Sequence, residues 1–222
     1  MRIGTWNLNA KWSTGHAALL THEDCDVWLL TEVNPKAHDG NRKIAGYQCH
    51  LSGGVMTCGQ HWAAILSKRP ILRRPDPHQA SAAALISGVT YCATILPWSG
   101  CTAYTPTPWV GTTLEDMARP AIDNLKNLLP KSKTVWGGDW NQNLAGGRQY
   151  VGSVSMRGLV ESALSLLNLK VTTANLPLQT DENRNTIDHI AVPAQWHVRN
   201  AVRISAVGLS DHDAYIIDVD EA

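Results

Sequence analysis

The chain has 222 residues, 44% of them hydrophobic, and 19 Lys+Arg balance 19 Asp+Glu to a formal net charge of +0 with His neutral. That length and apolar content can bury a real core in one or two domains and exclude collagen, coiled coil and disorder. Net neutrality argues against a dedicated sequence-reading nucleic-acid scaffold, which is ordinarily basic, and leaves room for an enzyme that touches phosphate locally.

In chain order, Arg2–Asn7 alternates and reads as a strand that ends on polar residues. A short helix over Ala17–Glu23 leads into Val27–Thr31, an apolar run of strand length. Ile44–His50 and Val55–Ser67 read as strands joined by the turn signal Ser52-Gly53-Gly54. The pairs Lys68-Arg69 and Arg73-Arg74 follow, read as either a small phosphate-contacting patch or the two ends of a surface turn around Pro70 and Pro75. Leu85–Leu96 is β-rich and stops at Pro97.

Thr113-Leu-Glu-Asp116 resembles a capping box with Asp in place of Glu and opens a helix to about Leu129. Pro120 falls inside it, which demands a later start or a kink. Thr134–Trp136 is a short buried strand ending in Gly137-Gly138. Ser155–Leu167 has the clearest helical period, with Leu159, Ala163, Leu166 and Leu167 on one side. Strands return at Lys170–Thr173, Thr186–Val192, Val198–Val207 and Ala214–Val219. Many strands, few helices, no repeat and no Gly-rich nucleotide fingerprint predict a mixed α/β sandwich.

Polar residues interrupt these apolar strands at their ends. Asn7 and Asn9 follow the first strand, Glu32 closes Val27-Trp-Leu-Leu-Thr31, and Asp139 and Asn141 follow Thr134–Gly138. Asp188 sits inside Thr186–Ala191, and Asp211 and His212 open the last strand. Taken singly, an Asn at a strand end is a turn residue, and a lone His such as His16, His61 or His189 is solvent-facing or structural. Glu32 and Asp188 are different, because a carboxylate in so apolar a run is costly unless it is paired or bound to metal. Hard oxygen donors without clustered Cys point to Mg²⁺, with Mn²⁺ as the other option, rather than zinc.

Five elements, Thr5-Trp6-Asn7-Leu8-Asn9, Leu30-Thr31-Glu32-Val33, Gly138-Asp139-Trp140-Asn141, Ile187-Asp188-His189-Ile190 and Ser210-Asp211-His212, occur in that order from end to end. Together they resemble the endonuclease/exonuclease/phosphatase superfamily, which includes exonuclease III-like and DNase I-like nucleases. The resemblance implies a single domain over residues 1–222: a four-layer α/β (α+β) sandwich of two face-to-face mixed β-sheets flanked by helices. It further implies Glu32 as the principal Mg²⁺ ligand, with Asn7 beside it and Asn9 and Asp211 near the metal pocket. Asp139 matches the aspartate that activates water, Asn141 the asparagine that holds it, His212 the phosphate-stabilising histidine and Asp188 its carboxylate partner. The family's nuclease branches place a Tyr or His after the strand that here runs into Thr94-Ile-Leu-Pro-Trp98; Ile95 and Leu96 occupy that slot, which opens the question of substrate class.

The expected activity is phosphodiester hydrolysis on nucleic acid, DNA first, by an endo- or exonuclease. A phosphoesterase for small or lipid-headgroup phosphates is the alternative, and an inactive binding module is disfavoured because every metal, base and His position is filled. Trp98, Tyr104 and Trp140 are expected to touch substrate, Trp98 by stacking on a base; Trp109 lies beside the same loops. No obligate protein partner is evident. The longest apolar stretch, Ala80 to Val89, is far short of the roughly 18 residues of a membrane span, and the first dozen residues lack the core of a secretory signal, so a cytoplasmic protein without membrane contact is expected. Nine Trp and no Phe leave the large aromatic work of the core to Trp. The five Cys lack CxxC spacing, which argues for reduced thiols; Cys49/Cys58 and Cys92/Cys101, equal in spacing, are the pairs that could bridge.

Overall fold

Near-continuous apolar runs along short strands, such as Val27–Leu30 and Trp62–Leu66, give each sheet of this protein two faces to bury. The computed structural model describes residues 1–37, 44, 46–103, 106–145, 151–178 and 181–221. Its strands are β1 (Arg2–Asn7), β2 (Val27–Val33), β3 (Gln48–Leu51), β4 (His61–Ser67) and β5 (Leu72–Arg73). They continue as β6 (Ser81–Ile86), β7 (Val89–Thr94), β8 (Thr134–Asp139), β9 (Leu169–Val171) and β10 (Pro177–Leu178). The last four are β11 (Asp181–Asn185), β12 (Asp188–Pro193), β13 (His197–Ile204) and β14 (Ala214–Asp220). The helices are α1 (Thr14–Glu23), α2 (Leu114–Leu128) and α3 (Val154–Leu167).

One six-stranded sheet runs β13-β14-β1-β2-β4-β3 and the other β5-β6-β7-β8-β12-β9, with β10-β11 as a small separate ribbon. Both large sheets are mixed: β1 and β2 pair in parallel, as do β7 and β8, and their other pairs are antiparallel. Ile3, Val27, Leu29, Ile65 and Ile217 of the first sheet interlock with Ala84, Tyr91, Val135, Ile190 and Val192 of the second. On the first sheet's outer face, Trp6, Trp28 and Leu30 pack under Leu20 of α1. On the second sheet's outer face, Trp136 and Trp140 pack under Ile122 and Leu125 of α2 and Val160 and Leu167 of α3. The result is the expected four-layer sandwich of two mixed sheets with helices outside. No described helix is long and apolar enough to cross a membrane.

Several elements depart from the sequence reading for local reasons. Leu85–Leu96 is the end of β6 plus all of β7, because Ser87 (φ 50°) and Gly88 (φ 86°) are both left-handed and make a tight hairpin turn. Val55 makes only an isolated bridge to His61, and a turn at Thr57–Gly59 delays β4 to His61. Helix α2 begins at Leu114, ahead of Pro120: the Thr113 side chain accepts from the Asp116 N–H, and the Asp116 carboxylate accepts from the Thr113 N–H, so the capping box outweighs the one hydrogen bond Pro120 removes. In α3, Leu166 is 41% exposed, and Met156, Val160 and Leu164 line the buried face instead. Helix α1 starts three residues early because the Ser13 N–H donates to His16 Nδ1 (3.1 Å), a cap made by histidine. Cys92 and Cys101 carry free thiols, so that pair is not bridged. The side chain of Cys58 lies outside the described residues.

Two glycines stand in opposite surroundings. A Cβ on Gly4 would sit 2.3 Å from the Trp28 ring, whereas Gly158 in mid-α3 faces open space. Gly4→Ala should therefore cost about 1–3 kcal/mol by overpacking. Gly158→Ala should stabilise by about 0.5–1 kcal/mol by restricting the unfolded chain. Urea denaturation checks both, as midpoint shifts of opposite sign at unchanged slope.

Candidate active site

Strand parity carries three polar side chains to one place. Ile3 and Thr5, then Asn7, follow one face of β1; Val135 and Gly137, then Asp139, follow one face of β8; Asp188 precedes Ile190 and Val192 on one face of β12. All three faces look into the space between the sheets, and all three polar residues stand at the same end of it. Asp188 is directly opposite Asp139 in the β8–β12 ladder. Gly137 lets the sheets close here, since a Cβ would meet Leu29 Cδ1 at 2.8 Å and the His189 carbonyl at 2.7 Å.

Asn7 is the junction. Its Nδ2 donates to Glu32 Oε1 and to Asp139 Oδ2, both at 3.0 Å, and its Oδ1 accepts from the Asn9 N–H at 2.8 Å. Parity alone would send Glu32 to the outer face with Trp28 and Leu30. Its backbone is left-handed (φ 48°), which turns the carboxylate inward to Asn7. Burial raises the pKa of Glu32, and the Asn7 hydrogen bond only partly offsets that. Burial, and then the charge of Asp188, also push the pKa of Asp139 well above the usual carboxylate range.

The second half of the site is a His–carboxylate pair. His212 Nδ1 lies 2.7 Å from Asp188 Oδ2, while Nε2 stands 3.9 Å from Asp139 Oδ2, beyond hydrogen-bond length. Burial would lower the pKa of His212, but Asp188 and Asp139 more than reverse this and carry it to about 10, so the ring is an imidazolium at neutral pH. Asp188 is anchored by its N–H to Thr186 Oγ1 (2.9 Å). Asn141, also left-handed (φ 50°), donates its N–H to Asp139 Oδ1 (2.9 Å) and its Nδ2 to the Leu96 carbonyl (2.9 Å). Gly138 (φ 128°) makes that approach possible: a Cβ there would lie 2.1 Å from the Thr94 carbonyl.

The fold thus brings Asn7, Glu32, Asp139, Asn141, Asp188 and His212 together. Asn9 is half-buried and joins through its backbone, and Asp211 is exposed at the rim, close enough to raise the pKa of Glu32. Trp98 is half-buried, edge-on to Trp62 (6.3 Å between centroids), beside a cleft of about 260 Å³ lined also by Cys101, Leu114 and Met117. Trp140 corrects the sequence expectation: it is 0% exposed, stacked on Trp136 at 4.0 Å, and cannot reach a substrate. Trp109 is buried too, stacked on His78. Tyr104 lies outside the described residues. Lys68 pairs with Asp24, and Arg69 lines a cavity with Met1, Asp26 and Glu221, at the far end of the sheets from Asn7, so the Lys68-Arg69 pair adds nothing to the site.

Sequence reasoning missed the supports. Ser210 Oγ donates to the Asn7 carbonyl (2.7 Å) and accepts from the His212 N–H (3.2 Å), and Trp6 Nε1 donates to the His212 carbonyl (3.0 Å). Both residues stood inside the quoted motifs, but motif spacing does not report backbone contacts.

The donor set fits a divalent cation. Three carboxylates converge with one imidazolium, which leaves negative charge in excess, and Asp188 Oδ1 is buried with no hydrogen-bond partner among the described residues. Ligand atoms of Asp139, Asp188 and His212 lie within 4.8 Å of one another. Glu32 and Asn7 adjoin that cluster through the shared Nδ2.

The sequence profile of the Endonuclease/Exonuclease/phosphatase family matches residues 4–212, and the chain belongs to that family. No curated protein matches. Among solved structures, a 3' phosphatase from Neisseria bound to product DNA hairpin is similar at TM-score 0.69 and 17% identity, with 100% of each chain covered. An AP endonuclease from Archaeoglobus fulgidus is similar at TM-score 0.68 and 16% identity, again over 100% of both chains. The human Nocturnin catalytic domain is similar at TM-score 0.62 and 16% identity, covering 99% of this chain and 94% of that one. These neighbours are exonuclease III-like and DNase I-like in fold, and the family's enzymes are hydrolytic nucleases and phosphatases.

One histidine behind the site yields a pH prediction. Burial lowers His189 to about 4, and its ring is held neutral between the Gln142 carbonyl (2.8 Å from Nε2) and Thr173 Oγ1 (3.3 Å from Nδ1). The unfolded chain therefore binds the extra proton first, and this group's contribution is lost as pH falls from about 6.5 toward 4. Chemical denaturation across that window should show stability falling with acid, with a slope shallower by up to about 1.4 kcal/mol per pH unit in His189→Gln.

Proposed function

We propose that the chain is a divalent-metal-dependent phosphodiester hydrolase acting on nucleic acid, DNA foremost, as an endo- or exonuclease with one catalytic domain over residues 1–222. The observation that carries this reading is the Asn7 bridge, which sets a half-buried Glu32 and a buried Asp139 beside a charged His212. Glu32, with Asn7 beside it and Asn9 and Asp211 at the rim, would hold Mg²⁺ or Mn²⁺. When bound, that ion supplies positive charge to the phosphoryl and leaving oxygens.

The chain's own groups do the rest. Asp139, its pKa raised by burial, takes the proton of the attacking water. Asn141, with its N–H committed to Asp139 and its Nδ2 to the Leu96 carbonyl, offers the rest of its carboxamide to orient water and phosphate. His212 Nε2 donates to a non-bridging phosphoryl oxygen, where negative charge grows in the transition state, and Asp188 fixes the ring's tautomer and charge. Trp98, half-exposed beside its cleft, stacks on a base. Free thiols at Cys92 and Cys101 support a reducing, cytoplasmic location.

A second reading, a phosphoesterase for small or lipid-headgroup phosphates, has one observation in its favour. Ile95 and Leu96 are 0% exposed, so the slot that nuclease branches fill with a phosphate-contacting Tyr or His is here part of the core. Salt separates the two, because a nucleic-acid substrate binds less well as ionic strength rises.

The test is cleavage of end-labelled duplex DNA, intact and with one abasic site, in Mg²⁺. Product should vanish in EDTA, and His212→Ala should lower the rate on the order of 10²–10³-fold. A folded, metal-bound protein that leaves both substrates intact would sink the nuclease reading in favour of small phosphate esters.

A further inference from the structure

The fold contains a second device at the end of β1 whose geometry reaches the catalytic histidine from behind. Trp6 is 0% exposed and faces the outer side of the first sheet, away from the cleft that holds Asn7. Its Nε1 nevertheless donates to the His212 carbonyl at 3.0 Å. The indole plane is itself fixed: it stacks on His16 at 5.3 Å and 19°, and His16 stacks in turn on Trp12 at 5.9 Å and 30°. His16 cannot swing away, because the Ser13 N–H donates to its Nδ1 and the residue is 2% exposed. The His212 N–H is held separately by Ser210 Oγ, which also bonds the Asn7 carbonyl.

We infer that Trp6 is a positioning residue for His212: its indole N–H locks the His212 main chain to β1, so that the imidazole meets Asp188 and Asp139 in one fixed arrangement. The inference rests on the phosphoesterase reading of the site for its kinetic consequence, and on the structure alone for its spectroscopic one. The main-chain groups of residue 212 are its N–H and its carbonyl, and both are bound to groups on, or bonded to, the Trp6-Asn7 dipeptide. Rotation of the 210–212 turn as a unit would have to break the indole bond first. Among the described residues the His212 ring is hydrogen-bonded only at Nδ1, with Nε2 at a looser 3.9 Å from Asp139, so the Nε2 position depends on where the main chain is held. A shift of well under one ångström at a catalytic group is enough to cost rate.

Trp6→Phe removes the N–H and keeps most of the ring packing. Trp28→Phe is the control: Trp28 is as deeply buried on the same sheet face, and its indole makes no hydrogen bond to the 210–212 turn. In Mg²⁺-dependent hydrolysis of bis(p-nitrophenyl) phosphate, Trp6→Phe should lower kcat roughly tenfold at unchanged KM, the size of one lost hydrogen bond. In a His212→Ala background the same substitution should cost nothing further. Independently of turnover, the downfield proton NMR signal of His212 Nδ1–H should shift or exchange faster in Trp6→Phe and stay as in the wild type in Trp28→Phe. A kcat loss that persists without His212, or an Nδ1 proton that Trp6→Phe leaves unchanged, would overturn the inference. Absence of turnover in the wild type would count against the phosphoesterase reading, and the NMR comparison would still decide the role of Trp6.

Discussion

The architecture converges on one carboxamide. Asn7 Nδ2 donates to Glu32 and Asp139 at once, and without it a half-buried and a buried carboxylate would lose the donor they share. Burying even one ion costs several kcal/mol unless partners repay it, so this contact constrains the register of both sheets. β1 must end where β2 and β8 end, and the sheets must close to within a hydrogen bond there. Leu29 pressed on Gly137 is the packing expression of that demand. The remaining charge is shared unevenly: Asp188 has His212, while Glu32 and Asp139 have mainly amide donors. A binding site for a hard cation is the natural counterpart of such an imbalance.

Backbone strain is distributed in the same way. Eight described non-glycine residues have positive φ, and four of them, Asn9, Glu32, Asn141 and Ala10 (its N–H bonded to the Glu32 carbonyl at 2.9 Å), belong to the site or its rim. The others have ordinary local duties: Asp24 and Asn168 cap helices, and Ser87 and Ser132 sit in turns. A left-handed glutamate at the end of a strand has no such duty. Its conformation costs on the order of 1–3 kcal/mol and is held because it delivers the carboxylate to Asn7.

Much of this was legible in the sequence. Glu32 after Val27-Trp-Leu-Leu-Thr31 and Asp188 between Ile187 and His189 advertised costly charge, and motif order supplied the layout of the sandwich. Other features hid for physical reasons. Ser87-Gly88 looked like the interior of one strand because its left-handed pair is a property of two dihedrals rather than of hydrophobic pattern. Trp140 stood between two site residues, and parity sends it to the opposite face, under the helices. Trp6 and Ser210 act through backbone contacts that cross from β1 to the turn before β14, a sequence separation no local pattern reports.

The claim on which the account turns is that Glu32, delivered inward by its strained backbone, would complete a cation site with Asn7, beside the base Asp139. Calorimetric titration of Mg²⁺ into the wild type and Glu32→Gln tests it most directly, with circular dichroism confirming that both are folded. The account predicts saturable binding to the wild type that is lost in Glu32→Gln. Equal binding to the two proteins would contradict it.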